Sequence, residues 1–240
     1  MQLVLLAAGR GSRLPKKYRI KPKCLTKIGP ATILDFNKKF FDNFQTKIII
    51  TGYKRQMLQE YIKKNNFIEI ENKNFRKTNM VQSLMLSSRY LKKNEEIVIC
   101  YGDIIFNKDI FKIFKRNKGN IITGNKNWLK YWKKRMTIKN IKSDAETFSV
   151  RKNILKNIGD KITNKFPKYQ YMGILKISYK TFVTMRSYFD KINNKKIDMT
   201  GFLNLCINDN GLKIKKINYS SFWHEINNAK DILIARRDLI

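Results

Sequence analysis

Leu5-Leu6-Ala7-Ala8-Gly9-Arg10-Gly11-Ser12-Arg13-Leu14 follows directly on an apolar run, Gln2–Leu6. The run reads as a buried strand, and the glycines behind it as a tight turn. In an α/β sheet, ligands sit beyond the carboxyl ends of the strands. Gly9 and Gly11 let backbone N–H groups approach phosphate oxygens, and Arg13 adds a charge-assisted fork. Two better-known phosphate loops are excluded by spacing. A dinucleotide fingerprint needs a third glycine, where this chain has Leu14, and an acid after the second strand, where it has Thr51-Gly52-Tyr53. A Walker loop needs GK followed by Ser or Thr, which is absent.

Outward from the loop, strand and helix patterns alternate. Helices read over Ala31–Phe44, Arg55–Lys64, Met80–Leu91 and Lys108–Lys115. Strands read over Lys47–Thr51, Phe67–Glu71, Ile97–Tyr101 and Ile121–Gly124. This alternation predicts an α/β protein, a three-layer α/β/α sandwich around a mostly parallel mixed sheet. Shorter strands over Thr147–Arg151, Ile154–Ile158 and Met172–Ile177 suggest a small lid or acceptor-binding insertion around 125–170 within a single domain spanning 1–240. Helices close the pattern over Tyr179–Lys191, Thr200–Asn208 and Asn228–Ile240.

Of 240 residues, 51 are Lys or Arg and 18 Asp or Glu, a formal charge of +33. Such an excess points first to nucleic acid or an anionic surface. The basic residues are spread evenly and accompany abundant Asn and Ile, which reads as composition rather than an interface. No zinc-finger, helix-turn-helix or RNP-like pattern supports a nucleic-acid partner. Cys24, Cys100 and Cys206 lie far apart with no CxxC, so neither a disulfide framework nor a zinc site is expected. No apolar run approaches the length of a membrane span. A cytoplasmic setting is expected, and the sequence is silent on oligomeric state, with a homodimer left open.

Pro22-Lys23-Cys24-Leu25 stands at the far end of the loop. A lysine returned to a phosphate loop can neutralise charge on a transferred phosphoryl group. LAAGRGSRL, seven residues, then PKCL resembles the signature of the sugar-phosphate nucleotidyltransferase superfamily. Four further segments agree in order. Asn72–Met80 with Ser83-Leu84 is similar to its nucleobase loop, Tyr101-Gly102-Asp103 to its metal-binding strand end, and Ile158-Gly159-Asp160-Lys161 to its G-x-K turn. Trp223-His224-Glu225-Ile226-Asn227 with Asp231 is similar to its C-terminal element. Within the superfamily, Asn125–Trp128, Trp132, Arg135 and Asp144-Ala145-Glu146-Thr147 resemble a branch of cytidylyltransferases for small phosphates or phosphonates. Tyr169–Gly173 and Met199–Leu203 also look like that branch.

The resemblance implies a Rossmann-like nucleotidyltransferase fold and the transfer of CMP from CTP to a small phosphate- or phosphonate-bearing acceptor, with Mg²⁺, for modification of capsule or other surface polysaccharide. It implies Lys23, Arg13 and Asp103 as catalytic residues. Leu6, Ala8, Gly9, Gly11, Asn79, Ser83, Tyr101 and Gly102 would bind the nucleotide. Lys161, Trp128, Arg135, Glu146 and Glu225 would bind the acceptor, and Asp103 and Asn227 the metal. The chain departs from the pattern at Asn227 and Asn125, each an Asp in the family. An amide offers oxygen without charge, so weaker metal binding is expected. The alternatives are a sugar-1-phosphate nucleotidyltransferase and a nucleotide-binding homologue of low activity. His224, the only histidine, is read as a packing or substrate-side residue, since this chemistry needs no general base.

Overall fold

The computed structural model describes residues 1–163 and 165–240. Its strands run β1 Gln2–Leu6, β2 Lys27–Ile28, β3 Ala31–Thr32, β4 Lys47–Thr51, β5 Ile68–Glu71, β6 Ile97–Tyr101 and β7 Ile104–Phe106. They continue with β8 Ile121–Asn125, β9 Glu146–Arg151, β10 Ile154–Lys161, β11 Gln170–Ile177, β12 Lys215–Tyr219 and β13 Trp223–Glu225. The helices are α1 Ile33–Phe41, α2 Gln59–Lys64, α3 Met80–Leu86, α4 Ile110–Arg116 and α5 Trp128–Arg135, then α6 Ile138–Asp144, α7 Tyr179–Lys191, α8 Met199–Asn210 and α9 Ala229–Leu239.

Nine strands form one sheet in the order β5-β4-β1-β6-β11-β8-β12-β10-β9. β5, β4, β1 and β6 are parallel, and β11 runs antiparallel to both β6 and β8. Strand β1, inside the parallel half of the sheet, is buried along its whole length, as both faces of a covered parallel sheet require. Its side chains alternate between two cores. Leu3, Leu5 and Ala7 pack with Phe40, Phe41 and Phe114, whereas Val4 and Leu6 pack with Val81, Phe182 and Phe202. That alternation makes the three layers. The chain passes from β1 to β4 on one side and later to β6 on the other, so a topological switch point falls at the carboxyl ends of β1 and β6.

The 125–170 segment is not detached from this frame. It contributes α5, α6 and the hairpin β9–β10, which continues the sheet beyond β12. The predicted helix over Ala31–Phe44 begins at Ile33. Thr32 and Asp35 form a capping box there, with both reciprocal bonds in place, and Ala31–Thr32 pairs with β2 instead. The helix over Met80–Leu91 loses its last turn to a 3-10 segment, Ser87–Tyr90.

Gly173 in β11 adopts φ +78°, and a Cβ there would lie 2.7 Å from Tyr101 Cδ2. Replacement by alanine must strain the backbone and push the Tyr101 ring. We expect Gly173→Ala to cost about 1–3 kcal/mol, read as a lower urea midpoint. A midpoint within experimental error of the wild type would show that β11 accommodates the methyl group.

Candidate active site

At the switch point a cavity opens, lined by Leu6, Ala7, Ala8 and Gly9 from the first loop, Lys23, the segment from Asn72 through Ser83, and Tyr101, Gly102 and Asp103. These are the elements the sequence assigns to a nucleotide. Gly11 has φ +66°, and a Cβ there would meet Lys23 Cγ and Leu14 Cδ1 at 3.2 Å. Gly11 therefore shapes the seat of Lys23 and is not itself in the cavity wall.

The 72–83 segment is held by one buried side chain. Asn72 Nδ2 donates to Thr78 Oγ1 at 3.1 Å and to Ser83 Oγ at 3.0 Å, while its Oδ1 accepts from Asn74 N–H at 3.0 Å. Ser83 keeps its own hydroxyl proton to offer. Asn79 caps α3, accepting from Met80 N–H at 2.8 Å, and donates to the Lys196 carbonyl at 3.2 Å. Asn79 is thus a helix cap within the cavity wall, and one Nδ2 hydrogen of its amide bonds to no other described residue.

Asp103 and Asn227 are far apart in sequence, and a two-stranded ladder brings them together. β7 pairs antiparallel with β13, ending at Ile104–Glu225, and Ile226 N–H then donates to the Asp103 carbonyl at 2.9 Å. Lys23 Nζ donates to Asp103 Oδ2 at 2.5 Å and to Asn227 Oδ1 at 2.7 Å. Arg13 Nη2 donates to the same Asn227 oxygen at 3.0 Å. Only the amide oxygen can face two such donors, so its orientation is fixed.

A second cavity adjoins the first and shares Tyr101 and Met80 with it. Its wall includes Arg13, Trp132, Asp144, Glu146, Gln170, Asp198, Thr200, Trp223 and Glu225. Arg13, expected on the nucleotide's phosphates, therefore faces this second space. Burial raises the Glu146 pKa, and the neighbouring Asp198, Asp144 and Glu225 carboxylates raise it further.

Two expected acceptor-binding residues have other duties. Trp128 is 1% exposed, donates from Nε1 to the Pro167 carbonyl at 3.1 Å, and packs edge-on against Trp132. It belongs to the core and braces the cavity wall from behind. Arg135 is 3% exposed; its Nε and Nη2 donate to the two Asp231 oxygens at 2.8 and 3.0 Å, and Nη1 to Glu225 at 3.3 Å. Asp231 in turn accepts from the backbone N–H groups of Asn227 and Asn228 at 2.7 and 3.0 Å. Arg135 thus acts through Asp231 to place Asn227. Burial pulls the Arg135 pKa down, but the hydrogen bonds with Asp231 and the Glu225 charge more than offset it, so the guanidinium stays charged. Lys161 is exposed at the end of β10, backbone-paired with Glu146, and lines neither cavity. His224 is 2% exposed, and burial pushes its pKa down to about 4, so it is neutral at physiological pH. Trp132, read from the sequence with Trp128 and Arg135 as a wall of the acceptor pocket, lines the second cavity, and Asp198 and Gln170 line it without having been assigned a role from the sequence. For Asp198 the available signal was its place just ahead of Met199–Leu203, as the N-cap of α8.

Residues 2–124 match the Nucleotidyl transferase family model. The chain is 26% identical to the CTP:phosphoglutamine cytidylyltransferase of Campylobacter jejuni subsp. jejuni serotype O:2, over 97% of this chain and 98% of that protein. It is 23% identical to a bifunctional protein GlmU of Methanococcus aeolicus, and it spans about half of that protein's length, 54%. In structure it is similar to the CTP:phosphocholine cytidylyltransferase of Streptococcus pneumoniae, with a TM-score of 0.78, 16% identity and coverage of 100% and 99% of the two chains. The inositol-1-phosphate CTP transferase of T. maritima superposes with a TM-score of 0.77 at 17% identity, over 100% and 97% of the chains. With the family model spanning β1 through β8 and the loop residues of that span in the wall of the first cavity, the chain belongs to the nucleotidyl transferase family.

Proposed function

We propose that this protein transfers CMP from CTP to a small phosphate- or phosphonate-bearing acceptor, releasing pyrophosphate, in the cytoplasm and in service of surface-polysaccharide modification. The observation that carries the transfer is the Asn227 oxygen, which accepts from Lys23 in the wall of the first cavity and from Arg13 in the wall of the second. Two substrates bound in these cavities would meet at that cluster of cations. CTP is favoured over a nucleotide for sugar-phosphate transfer because the cytidylyltransferase relative matches over both full lengths.

The acceptor's phosphoryl oxygen would attack the α-phosphorus in line, with no covalent enzyme intermediate. Lys23 and Arg13 would concentrate positive charge where that oxygen and the leaving pyrophosphate carry negative charge. Asn79, Ser83 and the backbone of Leu6–Gly9 would hold the nucleoside. Among the described residues, no three His, Cys, Asp or Glu side chains converge as a metal cage. Asp103 and Asn227 nevertheless present a carboxylate and an amide oxygen to one ammonium, a donor set that suits Mg²⁺ when phosphates and water complete its shell. When bound, Mg²⁺ would offset the charge of the phosphates.

An assay of pyrophosphate release, four NTPs against phosphate acceptors, tests the reading. Activity confined to a sugar-1-phosphate would remove it. Asn227→Asp adds charge to the metal pair, and we expect the Mg²⁺ concentration for half-maximal rate to fall by roughly tenfold. An unchanged Mg²⁺ dependence would dismiss Asn227 as a metal ligand.

A further inference from the structure

A third cavity, of about 200 Å³, opens where the carboxyl ends of the parallel strands β8 and β12 meet α5. It shares Trp223 with the second cavity and no residue with the first. Two side chains in its wall are almost wholly buried and still have a polar atom to offer. Asn125, the last residue of β8, is 3% exposed. Its Oδ1 accepts from Asn127 N–H at 2.8 Å, while its Nδ2 bonds to no other described residue and is not one of the unpaired atoms sealed from solvent. Asn125 lines neither of the first two cavities, so the third is the space its amide N–H groups can supply. At this position the family carries aspartate, and the amide puts a donor where that group would only accept. His224 is 2% exposed, with Tyr131 packed edge-on against its ring at 5.1 Å between centroids. Its Nδ1 is sealed and unpaired, so Nε2 is the nitrogen that can face a ligand.

The charge around these two groups is positive. Lys130 and Lys134 stand one turn apart on the same face of α5, and both line the cavity. Lys134 is paired with Asp238 at 3.2 Å, but Asp238 also answers Arg237 at 3.4 Å. Lys130 has no ion pair among the described residues. Ser220, in the loop after β12, adds a hydroxyl, and the exposed Phe222 adds a ring. The donors thus come from a strand end, a helix and a loop. A tetrahedral oxyanion holds oxygens toward all three, whereas a carboxylate keeps both of its oxygens in one plane.

We propose that the third cavity binds a phosphate group, received by Asn125 Nδ2, Lys130 and Lys134, outside both of the cavities assigned to substrates. A ligand there bears on the second cavity as well. Trp223 is a wall of both, and Tyr131 Oη accepts from Glu225 N–H at 3.2 Å, tying α5 to the strand that carries Glu225.

The chain has one histidine, so its imidazole gives a single set of NMR signals. Burial pushes the His224 pKa down to about 4. At about pH 8, where phosphate is mostly a dianion, a shift of those signals therefore reports contact and not protonation. The probes are inorganic phosphate and phenyl phosphate, with chloride at matched ionic strength as the reference. At least one phosphate should move the His224 signals saturably, and chloride should not. The tighter binder of the two tells a free ion from an ester. Asn125→Asp keeps an acceptor for Asn127 N–H, and with it the local fold, but sets a carboxylate against the dianion. The affinity read at His224 should then fall about tenfold or more, and in Lys130→Gln about threefold or more. Lys23→Ala, in the first cavity, should leave it unchanged. No saturable shift, an equal shift with chloride, or an affinity untouched by Asn125→Asp overturns the proposal. So does loss of the shift in Lys23→Ala, which would put the phosphate in the first cavity. No turnover is measured, so pyrophosphate release judges the transferase reading separately and either idea can fail alone.

Discussion

Lys23→Ala is expected to lower the rate of pyrophosphate release by about 10²–10³-fold, the loss typical of removing one preorganised charge donor from a reacting centre. The side chain is 11% exposed and, among the described residues, its ammonium bonds only to Asp103 and Asn227, both of which bear on the proposed reaction centre. Asp103 is 23% exposed on its side chain, so water can take over the lost hydrogen bond, and the melting temperature should change little. The loss should fall on kcat, with CTP affinity altered severalfold at most, because charge neutralisation at the α-phosphate counts most in the transition state. Lys23→Arg should rescue poorly. A planar fork cannot place one compact charge between two acceptors as an ammonium does. A Lys23→Ala enzyme that turns over within a few-fold of the wild type would mean that the cluster of Lys23, Asp103 and Asn227 holds structure and does no chemistry.

The architecture was legible wherever burial is two-sided. Gln2–Leu6, Lys47–Thr51 and Ile97–Tyr101 carry unbroken apolar runs, Leu3–Leu6, Ile48–Ile50 and Ile97–Cys100, because both faces of each strand are covered. The strand Lys215–Tyr219, KKINY, was not legible. It carries Lys216 at 4% exposure, the ammonium 4.1 Å from the Tyr169 ring centroid and bonded to Asn218, and neither partner is foreshadowed by periodicity. The lining of the first cavity was legible because it sits on contiguous loops, whose residues enter the wall together. That of the second was only partly so. Trp128, Trp132 and Arg135 share a helical face by spacing, yet that face meets core, cavity and a buried acid in turn. Spacing specifies which side chains point together, and the packing partners decide what they point at.

Arg135→Met is expected to destabilise the fold by about 3–5 kcal/mol, because it strands Asp231 without its cation. Asp231 is 0% exposed, and of its four hydrogen-bond donors only the backbone N–H groups of Asn227 and Asn228 would survive on the accepting side. For a chain of this size that corresponds to a melting temperature lower by about 6–20 °C. Arg135→Lys should fall between, keeping the charge but losing the two-pronged contact. The double variant Arg135→Met/Asp231→Asn removes both charges and should recover part of the loss, a coupling that a thermodynamic cycle measures. A contact between Arg135 and the acceptor, as the sequence led one to expect, gives the opposite pattern. The acceptor's KM would then rise while the melting temperature held, and the double variant would recover nothing. Because Asp231 also holds the Asn227 backbone, the structural reading carries a kinetic signature of its own. In enzyme that remains folded, Mg²⁺ dependence should shift before acceptor affinity does, since the oxygen that Lys23 and Arg13 share is the part of the site that Arg135 holds in place.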